Sequence, residues 1–165
     1  MKIAFRLVLA AAAAGLVFWL WTVLFPSPEK IVLNKISKLA AIATVSAGDG
    51  NLIRAAKVSN LIGYFSTDAE IHYDVPDGGA HMLNGRDEIR QAAAAGFMQL
   101  SSIKVQFFDA AARVSPDKQS AVVTCTARVH AGNSRDFGIQ ELRFQFKKID
   151  GDWLITRAET VKTLQ

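Results

Sequence analysis

The sequence predicts an α+β protein: a single transmembrane helix followed by one domain, in which a cone-shaped, curved antiparallel sheet wraps around about three helices. Three observations predict it. The stretch 4–25 is strongly apolar, with Arg6 as its one charge. Between Pro28 and Leu100 apolar residues recur mostly at helical spacing. From Ser101 onward they alternate with polar residues, as on half-buried strands, between clusters of turn-forming residues.

The leading stretch is long enough to cross ~30 Å of hydrocarbon at ~1.5 Å per residue. Trp19 and Trp21 lie toward its far end, where indoles favour the headgroup region, and Pro26 and Pro28 stop the helix. A cleaved secretory signal is the competing reading. The small-residue run 10–15 would place a cut after too short a hydrophobic stretch, and no small-residue pair follows Phe25 at the right spacing. The expectation is an uncleaved anchor over 1–26 and a domain over 27–165. Lys2, Arg6 and the terminal amine favour a cytoplasmic start, with the domain periplasmic or extracytoplasmic; Lys30, Lys35 and Lys38 weigh the other way. The run 10–15 also offers a smooth surface for close helix contact.

Ser27-Pro28-Glu29 reads as a helix start: a hydroxyl cap, proline in the first turn and an acid at the positive end of the dipole. Val32, Ile36, Leu39 and Ala43 form its apolar stripe, and the stretch 47–50 ends it. A second helix carries Val58, Leu61, Ile62 and Phe65. Ser66-Thr67-Asp68 turns the chain into a short strand, 69–74, with Ile71 and Tyr73 on one face. A glycine-rich loop over 76–80 follows. Asn84-Gly85 precedes a third helix that buries Ile89, Ala93, Gly96, Phe97 and Leu100. Three long strands are then expected, alternating through Ile103, Val105 and Phe107, through Val123, Cys125, Ala127 and Val129, and through Leu142, Phe144 and Phe146. The stretch 115–118 is a turn, and Asp150-Gly151 is a strong hairpin signal before a last strand from Trp153 to about Val161.

Composition narrows the function classes. The 165 residues hold 19 basic and 15 acidic side chains, a net charge of +4. Setting aside Lys2 and Arg6 leaves 17 against 15, or +2, which is no electrostatic footprint for nucleic acid. The single cysteine, Cys125, excludes an internal disulfide. No two of the three histidines share a metal-ligand spacing with a carboxylate on one element, so neither metal nor cofactor is expected.

The phrases YFSTDAEIHYDVPDGG, LNGRDEIRQAAAAGF and LRFQFKKIDGDWLITRAET, in that order, resemble the nuclear transport factor two-like superfamily, including its SnoaL-like and ketosteroid-isomerase-like branches. The resemblance covers residues 28–164. It implies a cone with a pocket between sheet and helices, and a dimer through the sheet. Such a fold serves enzymes, binding modules and scaffolds alike.

In the isomerase-like branch a carboxylate on the first strand acts as general base; by resemblance that position falls on Tyr73, a poor base at neutral pH. Alternation sends Glu70, His72 and Asp74 to the opposite face, and a one-residue bulge would reverse that. Candidate pocket-lining residues are Tyr73, His81, Met82, Phe97, Cys125, Phe144 and Thr156. Few of them are polar, which weighs against an acid–base pair. Arg128, Glu141, Arg143, Arg157 and Glu159, with Trp153 and Phe137 as anchors, are candidates for a polar interface on the outer sheet face. The resulting expectation is a membrane-tethered, non-catalytic accessory or assembly subunit. It would contact lipid through its leader and other subunits, or a second copy, through the sheet. Two alternatives stand beside it: a carrier for a small apolar ligand, and an isomerase- or dehydratase-type enzyme.

Overall fold

A computed structural model of the protein describes residues 15, 26–75, 79–132 and 137–161. They form α1 (Pro28–Ala43), α2 (Asn51–Ile62), β1 (Phe65–Val75), β2 (Gly79–Asn84), α3 (Gly85–Gln99), β3 (Ile103–Val114), β4 (Ser120–Ala131), β5 (Phe137–Ile149) and β6 (Asp152–Val161). The expected anchor over 1–26, with Trp19 and Trp21, lies outside the described residues except for Gly15 and Pro26. Among the described residues no helix is long and apolar enough to cross a membrane.

The start of α1 follows its sequence signals. The Ser27 hydroxyl accepts from the Lys30 N–H at 3.4 Å, Pro28 stands in the first turn and Glu29 beside it. Val32, Ile36, Leu39 and Ala40 are buried along one stripe. Thr44 ends the helix in an extended conformation. Its hydroxyl donates to the Ala40 carbonyl at 2.9 Å and accepts from the Val105 N–H at 3.1 Å, tying α1 to β3. Val45 and Ile103 then exchange backbone hydrogen bonds at 2.7 and 2.8 Å.

The second helix buries Arg54, Val58 and Ile62, one turn apart; Leu61 is half-buried, and Phe65 belongs to the following strand. Asp49 organises the preceding loop by accepting from the Ser46 N–H at 2.9 Å and pairing with Lys57 at 2.5 Å. The Lys57 ammonium, then the Ser46 N–H, hold its carboxyl below the usual range. In α3 the Glu88 carboxylate accepts from the Asn84 N–H at 2.7 Å. Gly85 sits at φ +74°, where a Cβ would lie 3.3 Å from the Thr67 carbonyl oxygen. Ile89 and Phe97 are buried as expected, whereas Leu100 lies beyond the helix end and is exposed.

The six strands run in the order β2-β1-β6-β5-β4-β3. The sheet departs from expectation in two ways. It is mixed: β1 and β6 pair in parallel, because both start at the same end of the sheet, and the Ile155 N–H donates to the Tyr64 carbonyl at 2.8 Å. Part of the expected loop is also strand, since β2 begins at Gly79 and pairs along β1 from Val75↔Gly79 to Glu70↔Asn84. The Asp150-Gly151 turn is met: both residues have positive φ, 50° and 90°, and Ile149 pairs with Asp152 around them. A two-residue loop with two positive φ values suits the right-handed strand twist.

Three register shifts bend the sheet. They fall between Phe65 and Glu70 on β1, between Phe108 and Ala111 on β3, and at Thr156 on β6, where Gln145↔Arg157 gives way to Phe146↔Ile155. The shifts on β3 and β6 each insert one residue, which deepens the local twist and exchanges the two faces beyond it, whereas β1 keeps Phe65, Ala69 and Ile71 on one face. The result is an α+β cone: a curved six-stranded sheet with the three described helices on its inner face. Phe65, Val123, Phe144, Phe146, Trp153 and Ile155 meet Val32, Ile36, Leu39 and Ile89 there. Each such side chain stabilises the fold by about 1.5–3 kcal/mol through removal from water.

Candidate functional site

The pairing registers lay the outer face out in rows. One row reads Arg113, Val122, Gln145, Arg157, Glu70 and Asn84 across β3, β4, β5, β6, β1 and β2. The next reads Ala111, Thr124, Arg143, Glu159, His72 and Met82, and the third Phe108, Thr126, Glu141 and Val161. No described helix covers these residues.

Charges of alternating sign link the rows. His72 Nε2 lies 3.1 Å from Glu70 Oε2, which is 3.6 Å from Arg157 Nη1. Arg157 Nε donates to Glu159 Oε2 at 3.0 Å, and Arg143 Nη1 donates to Glu159 Oε1 at 3.2 Å. Glu159 thus accepts from one guanidinium on its own strand and one on the neighbouring strand β5, the arrangement that holds long side chains in place on a wet sheet. Farther along the face, the Arg128 guanidinium lies 4.9 Å from the Phe108 ring centre.

Two grooves open on this face. One, of about 540 Å³, is lined by Ala111, Arg113, Val122, Thr124, Arg143 and Gln145. The other, of about 370 Å³, shares Thr124 and Arg143 and adds Asp109, Thr126, Glu141 and Val161, reaching Cys125 and Leu142. Both volumes fall in the range that accommodates small ligands or single side chains.

The pocket-lining candidates scatter. Phe97 and Phe144 are core, with Phe144 packed edge-on against Phe107 at 5.8 Å. Met82 is exposed on the outer face opposite His72. Thr156 is the inserted residue of β6, and its hydroxyl donates to the Gln145 carbonyl at 3.3 Å. Tyr73 and His81 are brought together: they pair across β1 and β2 and their rings stack at 5.5 Å, at the inner-face end of the hairpin. The interface candidates gather better. Glu141, Arg143, Arg157 and Glu159 share the outer face with Arg128. The Phe137 side chain lies outside the described residues. Trp153 is a correction: at 4% exposure it is core, because the residue inserted at Thr156 puts it on the face opposite Arg157.

Arg113 and Asp109 were not anticipated. In the structure Phe107 and Ala112 both face inward at an odd separation, which requires a face switch between them. Asp109, at φ 52°, marks that switch.

Cys125 is buried, and desolvation pushes its thiol up to about 11. The thiolate is the nucleophile, so alkylation of the folded protein by iodoacetamide at neutral pH is expected to be at least about a hundredfold slower than after denaturation, when one thiol per chain should react. Equal rates in the two states would show the thiol to be accessible.

No protein-family model matches the chain, and no curated protein matches it. Solved structures do. A candidate scytalone dehydratase from Novosphingobium aromaticivorans is 16% identical, with 82% of this chain and 83% of that one covered at a TM-score of 0.60. A nuclear transport factor two-like protein with a cystatin-like fold from the same organism is 20% identical over 77% of this chain and 79% of that one, at 0.57. A protein of unknown function with a cystatin-like fold from Nostoc punctiforme is 19% identical over 78% and 90%, also at 0.57. Likeness at such identities shows architecture alone, and the architecture of this chain is the cystatin-like cone of the nuclear transport factor two-like proteins.

Proposed function

We propose that the chain is a membrane-tethered interaction module, an accessory or assembly subunit of a larger membrane complex, engaging partners through the outer face of its sheet. One observation carries the reading. The helices pack on the inner face, while the outer face presents two open grooves beside the His72–Glu70–Arg157–Glu159–Arg143 chain of charges. Charges of alternating sign position a partner more than they add affinity, and they suit a second copy of the chain as readily as another subunit. The apolar leader supplies the tether and the contact with membrane lipid, placing the domain on the periplasmic or extracytoplasmic side. Burial keeps the Cys125 thiol protonated, which favours docking over nucleophilic chemistry.

The test is the mass of the full-length protein solubilised from its native membrane in mild detergent. A particle with stoichiometric partners, or a dimer, is expected, and the double substitution Arg143→Glu, Arg157→Glu should release a monomer. A monomer from the start, unchanged by those substitutions, would sink the reading.

A second reading, a carrier or a dehydratase-like enzyme working from the inner face, is favoured by the Tyr73–His81 stack. It expects a retained apolar ligand in native mass spectrometry, or a turnover that Tyr73→Phe abolishes.

A further inference from the structure

The larger groove is lined by hydrogen-bond donors and holds no carboxylate. The Arg113 guanidinium makes no ion pair or hydrogen bond among the described residues. Arg143 gives one N–H to Glu159, and its others have no partner there. Thr124 and Gln145 add a hydroxyl and a carboxamide, while Ala111 and Val122, the latter 39% exposed, make an apolar floor. Ala111 pairs with Thr124 and Thr124 with Arg143, whereas Arg113 stands one row away beside Val122. The two guanidinium groups therefore border one groove from strands β3 and β5, about 12 Å apart at the backbone, two strand spacings across and one row along.

We propose that this groove docks an acidic segment of a partner polypeptide. A carboxylate lies between Arg113 and Arg143, and its aliphatic stem rests on Ala111 and Val122. Guanidinium forks match carboxylates two bonds at a time, and Arg113 has its full set of N–H groups to give. The occupant is a polypeptide because the trough continues. The second groove shares Thr124 and Arg143 but carries Asp109 and Glu141, so the segment that follows the acid meets acceptors and needs N–H groups or a cation. A small anion uses only the first half. This inference deepens the outer-face reading and rests on it.

The experiment uses the full-length protein in detergent and a fluorescein-labelled octapeptide, glutamate alternating with alanine in its first half and lysine with alanine in its second, followed by fluorescence anisotropy. Saturable binding that weakens as salt rises is expected. Arg113→Ala, whose guanidinium has no ion pair or hydrogen bond among the described residues to lose, should weaken binding about tenfold. Arg143→Gln should do the same, and Lys104→Ala, at the other end of β3, should leave binding unchanged. Absence of saturable binding, an unchanged affinity in Arg113→Ala, equal binding of the lysine–alanine counterpart, or full displacement by equimolar inorganic phosphate each overturns the proposal. The detergent-particle mass separates the two failures. A large particle that ignores the acidic peptide removes the groove assignment and keeps the module, whereas a monomer that ignores it removes both.

Discussion

Replacing Arg54 by methionine is expected to lower the unfolding free energy by about 3 kcal/mol, the scale of removing a charged donor from several buried acceptors. Arg54 is 8% exposed, and it holds together segments distant in sequence. Its Nε donates to the Asp49 carbonyl at 2.9 Å. Nη1 donates to the carbonyls of Phe97 and Leu100, the latter at 2.7 Å, and Nη2 to those of Ser101 at 2.9 Å and Ser46 at 3.5 Å. The last turn of a helix leaves carbonyls without intrahelical partners, and here a side chain from α2 satisfies those at the end of α3. The charge also lies at the negative end of the α3 dipole. Lysine at this position should recover less than half of the loss, because one ammonium cannot reach acceptors arranged around a planar fork. Urea unfolding followed by circular dichroism measures the effect, and the melting temperature should fall by about 10 °C. Lys57→Met, which removes a partly exposed ion pair with Asp49, should cost less than about 1 kcal/mol. An Arg54→Met loss no larger than that control would mean water replaces the guanidinium without penalty.

Phe146→Ala should cost about 4 kcal/mol. Phe146 is 1% exposed and stands in the inner-face row that joins Ala121 on β4, Ile155 on β6 and Phe65 at the start of β1. That row lies beside the parallel β1–β6 junction, where the register shift at Thr156 already interrupts the ladder. The cavity would open where few backbone bonds bridge the strands, and neighbouring strands held by hairpins would collapse onto it only in part. Phe146→Leu should cost about 1–1.5 kcal/mol, since most of the volume is kept. Leu52→Ala, at a position 85% exposed, should change stability by less than about 0.5 kcal/mol. The same denaturation experiment ranks all three, and a Phe146→Ala loss close to that of Phe146→Leu would show that the core closes around the gap.

Much of this molecule was legible without coordinates. The cap at Ser27, the stripe of Val32, Ile36 and Leu39, and the Asp150-Gly151 turn all depend on residues within a few positions of one another. Local conformational preference decides such features, so the local sequence reports them. The alternation through Val123, Cys125 and Ala127 and through Leu142, Phe144 and Phe146 was equally readable, because those stretches keep one phase throughout. The same rule misplaced Trp153. It shares parity with Arg157 and Glu159, and only the extra residue at Thr156 separates their faces. Arg113 went unnoticed for the matching reason at Asp109.

The sequence by itself determined the three described helices, the strands from Ile103 onward and most of the side chains that seek the core, because these follow from short-range sterics and hydrophobic periodicity. Tertiary structure alone decided three things. It paired β1 with β6 in parallel, gathered the carbonyls of Phe97, Leu100 and Ser101 around Arg54, and brought Arg113 on β3 to the same groove as Arg143 on β5. Each depends on where a distant backbone arrives and on which face a bulge leaves a side chain. A single inserted residue reverses that face while hardly altering the local pattern from which a strand is read.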